Sequence, residues 1–337
     1  MKKDVNSSNL MTVGTVIILM LALVIALFVI NPRAEESVTD AVKRTNEQAV
    51  NNFLVLGKDA AAGLCDVIML ASVNTNSGDV NIMQIPRDTY FNCSESTYKK
   101  MNGAYNSLGS AEAFSQSLSD ALGIRIDYYL SLDLGVVAKM IDAVDGIEIN
   151  VPLDMDYEDP AQNLSIHLKA GKQKLDGKRA VEFLRYRSGY VTGDLGRIDA
   201  QKLFLNAFAK RLIEIENPLA LFNVFKLICN NGETNIKEQD LLSIGLKCAK
   251  TKGGKVFYMT APGEAIQSNI SGAWYYVLSE QSMVKILNDR FLMQESFDKQ
   301  NKFVDKNVQS FYDIYNKICD IKIYTADEIE NNEININ

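Results

Sequence analysis

Three things are scarce in this 337-residue chain, and each scarcity removes a class of function. A surplus of basic residues is missing: 42 Asp and Glu face 35 Lys and Arg, for a formal net charge of -7. Nucleic-acid binders carry a basic face, so that partner class is disfavoured and any anion site must be built locally. Histidine is nearly absent. His167 stands alone in the alternating run Leu164-Ser-Ile-His-Leu-Lys169, which reads as a strand. Serine and cysteine nucleophiles therefore lack a histidine partner, which argues against a covalent triad. Paired cysteines are missing too, because Cys65, Cys93, Cys229, Cys248 and Cys319 show neither a CxxC pair nor zinc-like spacing. The odd count leaves one thiol unpaired in a monomer; the set reads as mostly free and buried, with a Cys65–Cys93 bridge left open.

What the chain does have begins with residues 10–30, an uncharged run of Val, Ile, Leu, Met, Ala and Phe. At about 1.5 Å per residue such a run spans about 30 Å of hydrocarbon. It is too long for the core of a signal peptide and no small-residue cleavage site follows, so it reads as a retained anchor. Lys2 and Lys3 precede it, which places residues 1–9 in the cytoplasm and everything after the anchor outside. Residues 31–50 read as a polar stalk, 51–323 as one extracellular domain, and 324–337 as a disordered tail rich in Asn and Glu. With 47% hydrophobic residues the chain can bury a sizeable core.

Within the domain, residues 53–57, 66–74 and 80–85 read as strands, the last two joined as a hairpin by Asn76-Ser-Gly-Asp79 and stopped by Pro86. A helix is expected over 110–122 with Ser110 as cap and Gly123 as stop, then a strand over 128–133, a helix over 134–144 and a strand over 147–151. Residues 180–187 read as a short helix or extended run, and 201–215 as an amphipathic helix. Interleaved strands and helices predict an α/β domain with a central mixed β-sheet flanked by helices.

The stretch 185–201 places Arg185, Arg187 and Arg197 with Asp194, Gly193 and Gly196 around a loop that feeds a helix. Guanidinium forks match phosphate oxygens two at a time, and a helix start adds exposed N–H groups, so this is how a phosphorylated ligand would be held. Arg87 and Asp88 emerge at the end of a core strand. Asp59 and Asp66 bracket the turn between the first two strands, an arrangement suited to Mg2+ with water and phosphate completing its shell. Taken singly each residue has a plain structural explanation, as a turn former or a surface ion pair. Their common position at element ends is what favours a site.

Seven blocks carry a resemblance: FLVLGKD at 53–59, CDVIML at 65–70, IPRDTY at 85–90, KMNGAY at 100–105, the run 128–151, LKAGKQKLDG at 168–177, and 185–201. In order and spacing the chain resembles the LytR-CpsA-Psr family. That resemblance implies an α/β domain with a deep apolar pocket for a polyprenyl chain. It implies an enzyme that moves a glycopolymer from undecaprenyl diphosphate to a peptidoglycan hydroxyl at the cell membrane, with Mg2+. By position, Asp59 and Asp66 match the Mg2+ carboxylates, and Arg87, Arg187 and Arg197 the arginines that grip the diphosphate. Arg185 matches the first arginine of the RxR pair, Asp194 the acid of the GDxGR loop, and Gln201 the glutamine of the next helix. Asp88 or Asp194 would take the acceptor's proton. Cys65 and Val67 depart from the usual Ser and Thr, and Asp59 is followed by Ala-Ala-Ala-Gly. Ala200 stands where many members carry arginine, removing one cation. A second reading is therefore a non-catalytic envelope protein that binds polyprenyl phosphate or polymer.

Overall fold

A computed structural model describes residues 49–331, apart from 59–63, 94–98, 161–163, 216–217, 238–239, 241–242, 245–246, 249–250, 252–253 and 270. The expected anchor and nearly all of the stalk lie outside the described residues, as does Asp59. Among the described residues no helix is long and apolar enough to cross a membrane.

In chain order the elements are β1 (Val50–Lys58), β2 (Cys65–Asn74), β3 (Val80–Gln84), α1 (Met101–Leu108), α2 (Ala111–Leu122), β4 (Tyr128–Asp133) and α3 (Leu134–Ala143). They continue as β5 (Ile147–Val151), β6 (Met155–Asp159), β7 (Leu164–Leu168), β8 (Gly171–Leu175), α4 (Gly177–Arg185), α5 (Asp194–Glu214), α6 (Pro218–Asn231) and β9 (Glu233–Thr234). The last are β10 (Val256–Thr260), β11 (Gly263–Gln267), β12 (Trp274–Leu278), α7 (Glu280–Arg290), α8 (Gln309–Tyr315), β13 (Ile323–Thr325) and α9 (Ala326–Glu330).

Seven strands form one mixed sheet in the order β13-β10-β3-β2-β1-β4-β9. The β2–β3 hairpin is antiparallel, whereas β1 with β4 and β3 with β10 are parallel and need crossovers. Register follows the side-chain alternation, with Leu54 opposite Leu70 and Leu56 opposite Ile68. Those residues and Met83 face a core shared with Phe114, Leu118, Met283 and Leu287 of α2 and α7. The other face, through Val73, Val80 and Tyr258, packs on Phe183 of α4 and on Leu203 and Phe204 of α5. Each fully buried Leu or Phe is worth roughly 1.5–3 kcal/mol, so two such layers fix the sheet between them. The α2 start is set by Ser110, whose hydroxyl accepts from the Ala113 N–H at 3.1 Å, and the α3 start by Asp133, which accepts from Val136 at 2.8 Å.

One expectation needs correction, and one open question is answered. The tail does not begin at 324: β13 closes the sheet edge against β10, and α9 follows it. Thr325 and Glu328 form a reciprocal capping box, and Ile329 is fully buried, so one apolar side chain and a strong cap order a segment too polar to pack by composition. Residues 332–337 lie outside the described residues. The Cys65–Cys93 bridge is not formed; all five cysteines are thiols.

The irregular run between α7 and α8 is tied down by Asp298, which accepts from the backbone of Lys302 and Phe303 and from the Tyr315 hydroxyl at 3.1 Å. Burial outweighs those hydrogen bonds and pushes the Asp298 carboxyl up to about 6. A carboxyl whose folded pKa lies above its unfolded value of about 3.9 stabilises the fold fully below that value and loses the contribution as pH rises through about 6. Wild type is thus expected to lose up to about 3 kcal/mol between pH 4 and pH 6.5 relative to Asp298→Asn, read from denaturant midpoints of the two proteins. Parallel pH profiles would remove Asp298 as the cause.

Candidate functional site

The carboxyl ends of β1 and β3 and the start of β2 meet at one end of the sheet, where open α/β sheets bind ligands. The start of α5 is delivered to the same place. Gly193, its N-cap, adopts φ +59° and ψ -120°, a conformation open to glycine and costly for other residues. Gly196 sits so close to Tyr190 that a Cβ would meet the Tyr190 Cβ at 2.6 Å. These two glycines fix the path along which Asp194, Arg197 and Gln201 line one helix face at spacings of three and four. Asp194 and Arg197, expected around the loop that feeds the helix, belong to the first turns of α5.

Arg87 is the hub. Its Nη1 lies 2.5 Å from Asp66 Oδ1, and its Nε lies 3.7 Å from Asp194 Oδ1 and 3.9 Å from Asp88 Oδ2. Burial alone would lower the Arg87 pKa, but Asp194, Asp66 and Asp88 raise it above the ordinary value, so it is a permanent cation. Arg197 is 3% exposed and binds Asp194 Oδ1 through Nε at 3.0 Å and Nη2 at 2.8 Å. Burial pulls its pKa down, only partly countered by Asp194. Arg187 Nη2 stands 3.5 Å from Asp66 Oδ2 and remains solvent-accessible. Gln201 accepts from Gln84 Nε2 at 2.6 Å, stapling α5 to the end of β3. The Arg87–Thr89 turn is braced by the Thr89 hydroxyl on the Pro86 carbonyl at 2.6 Å, by Asn102 N–H on the Arg87 carbonyl at 3.0 Å and by Tyr276 N–H on the Asp88 carbonyl at 2.9 Å.

A cavity of about 250 Å³ opens beside these groups. Among the described residues, Lys58, Arg185, Arg187 and Arg197 line it against one carboxylate, Asp66, while Val67, Leu134, Leu164 and Leu184 give it apolar walls. Its volume is just below the ~300–1,000 Å³ usual for small-ligand sites, which suits a diphosphate-sized anion and the start of an apolar chain. Among the described residues the cavity does not extend into the deep apolar pocket implied by the resemblance; Tyr157 and Leu164 of the β6–β7 hairpin stand at its wall. A larger cleft of about 500 Å³ lies on another face of α5, but its four cations meet four carboxylates, with Lys174–Asp145 at 2.7 Å and Lys172–Glu148 at 3.0 Å. Without surplus charge it offers a phosphate nothing.

The structure therefore brings Asp66, Arg87, Asp88, Arg187, Asp194 and Arg197 into one ion-pair network, with Arg185 and Gln201 on the cavity wall. Two cations were not singled out from the sequence. Lys58 lines the cavity and lies 3.9 Å from Glu233, and Lys100 reaches Asp88 Oδ1 at 2.8 Å. Both sit inside the blocks that carry the resemblance, which was the available signal. Cys65, beside Asp66, is buried and its thiol is pushed up to about 12, so it stays protonated and is no nucleophile. His167 lies on β7, paired with Asp156 at 2.7 Å and Glu158 at 2.7 Å, as a strand residue. Ala200 is 1% exposed in the core under α5 and does not line the cavity.

For Mg2+, Asp66 is the described carboxylate that fits, since one or two carboxylates suffice when phosphate and water complete the shell. Among the described residues no group of three or more His, Cys, Asp or Glu forms a metal cage.

The profile of the LytR_cpsA_psr family matches residues 29–291. A protein of Oceanobacillus iheyensis named polyisoprenyl-teichoic acid–peptidoglycan teichoic acid transferase TagU is 27% identical over 271 residues, which are 76% of this chain and 81% of that one. The crystal structure of gbs0355 from Streptococcus agalactiae superposes with a TM-score of 0.66 at 19% identity, covering 81% of this chain and 96% of that one. That of Bacillus subtilis TagV superposes with a TM-score of 0.58 at 24% identity, covering 71% and 95%. At these identities the likeness to solved structures is one of fold.

Proposed function

Since the chain belongs to the LytR-CpsA-Psr family, we propose that it is a membrane-anchored transferase that moves an anionic glycopolymer from a polyprenyl diphosphate to a hydroxyl of peptidoglycan. One observation supports this above the rest: four cations surround a small cavity with apolar walls in a chain whose net charge is -7. Such a mouth suits a diphosphate attached to a lipid. The teichoic-acid transferase name of the Oceanobacillus relative supports the same class of substrate.

Phosphoryl transfer asks the protein for positioning and charge neutralisation rather than covalent chemistry. Arg87, Arg187 and Arg197 hold the diphosphate oxygens and stabilise the charge that grows on them, as donors fixed before reaction. The acceptor oxygen attacks the phosphorus that carries the polymer, and the bond from that phosphorus to the bridging oxygen breaks. Polyprenyl phosphate leaves with the electron pair, and a phosphodiester remains on the acceptor. Asp88, held by Lys100 at 2.8 Å and loosely by Arg87 at 3.9 Å, takes the acceptor's proton, because Asp194 is, among the described residues, the sole carboxylate ion-paired with the buried Arg197. Mg2+, held by Asp66 and the donor's phosphate oxygens, would supply further neutralisation of phosphate charge when bound. The uncharged residues 10–30 anchor the domain at the outer membrane surface, beside its lipid-linked donor.

Full-length protein in detergent, given lipid-linked polymer and peptidoglycan, is expected to release polyprenyl phosphate. Chelation is expected to lower the rate at least about tenfold, with recovery on adding Mg2+. Tight donor binding with no release under any metal would instead support the non-catalytic reading. The cation lost at Ala200 no longer favours that reading, since position 200 is buried away from the cavity.

A further inference from the structure

A third cleft, of about 480 Å³, shares no lining residue with the diphosphate cavity. Its floor is an aromatic cluster: Tyr90, Tyr275 and Phe311 meet pairwise with centroids 5.4 to 5.8 Å apart. Its rim carries the amides of Asn92 and Asn301, both exposed, and the hydroxyl of Ser271. Among the described residues its charges are Lys99 and Lys306 against Asp305, a smaller cation surplus than that of the diphosphate cavity. Short contacts join the cleft to the chemistry. Lys100 Nζ lies 5.4 Å from the Tyr275 ring centroid and 2.8 Å from Asp88 Oδ1. The backbone makes the same link, since Tyr90 bridges to Lys100 and Thr89 to Tyr276.

We propose that this cleft is the subsite for the acceptor glycan, and that it takes an uncharged N-acetylated amino sugar. The partly exposed ring of Tyr275, backed by the buried Tyr90 and Phe311, can meet the apolar C–H face of a sugar ring, and amide and hydroxyl groups both give and accept hydrogen bonds, as sugar hydroxyls and acetamido groups require. An anionic polymer would find little to hold it. A pyranose bound over Tyr275 would lie beside Lys100, the residue whose Nζ holds Asp88 Oδ1. The assignment rests on the transferase reading for its place in the reaction, but its test uses no donor.

Chitotetraose is the probe, added to the full-length protein and followed by saturation-transfer NMR, with poly(glycerol phosphate) as a charged comparison. Wild type is expected to bind chitotetraose and not the charged polymer, with Tyr275→Ala binding at least about tenfold more weakly. Tyr275 also packs in the core, so the exposed pair Asn92→Ala with Asn301→Gly is the second variant. Glycine suits the φ of +50° at position 301. Loss of chitotetraose binding in this double variant, with an unchanged unfolding midpoint, supports the subsite whether or not any donor is turned over. The assignment is overturned by wild type that does not bind chitotetraose, by wild type that prefers the charged polymer, or by binding that survives the double substitution.

Discussion

Arg87→Ala is expected to lower the rate of polymer transfer by about a hundred- to a thousandfold, the usual cost of removing one fixed donor to a developing oxyanion. Arg87 has more than one task, which sets the upper end of that range. It is the shared partner of Asp66, Asp194 and Asp88, and without it three carboxylates face one another and the incoming phosphate. Arg87→Lys separates the contributions, because a lysine restores the charge but not the planar fork. Its rate is expected to fall about tenfold, between wild type and alanine. Polyprenyl phosphate release from a lipid-linked donor is the measurement, with circular dichroism as the check on folding. Equal rates for wild type and Arg87→Ala would remove Arg87 from the reaction.

Arg197→Ala is expected to destabilise the protein by about 3–5 kcal/mol, as when one partner of a buried ion pair is removed. The Arg197 side chain is 3% exposed and makes both close contacts to Asp194 Oδ1, while Asp194 Oδ2 is buried with no hydrogen-bond partner. Taking the guanidinium away leaves that carboxylate desolvated and short of a partner. The paired substitution Arg197→Met with Asp194→Leu is expected to recover most of the stability and none of the activity, since an apolar pair of similar volume removes the buried charge altogether. Guanidinium unfolding midpoints test the first part and polymer transfer the second. An Arg197→Ala midpoint equal to wild type would mean that the pair does not hold the start of α5.

The strands and the site were legible in the sequence to different depths. Strands β1 to β4 were readable because apolar runs end at strong turn signals such as Asn76-Ser-Gly-Asp79, and α2 because Ser110 and Gly123 punctuate it. The helix Met101–Leu108 carries little signal in the sequence, because it is two turns long, has Gly103 within it and starts at Lys100 without a side-chain cap. The Gly171–Leu175 strand, GKQKL, has one buried side chain and is held in place by pairing with β5. Arginines and aspartates at element ends marked the site. Their meeting, and the partners Lys58 and Lys100, depended on contacts between segments far apart in sequence, which no local spacing encodes. Even Asp88 and Lys100 are joined only because Tyr90 bridges to Lys100 across the intervening loop.

The bracing of the Arg87–Thr89 turn has a consequence for biosynthesis. Every guanidinium and carboxylate of the mouth has been made by the time Gln201 is translated, yet β3 still lacks its outer neighbour β10 and Asp88 its tether from Tyr276. A nascent chain halted before Val256 therefore holds all the charges but lacks the Tyr276 brace and the strand that flanks β3. Assembly of the anion mouth waits for long-range strand pairing, a slow kind of contact to make. Until then the bare edge of β3 is the segment most exposed to pairing with another chain.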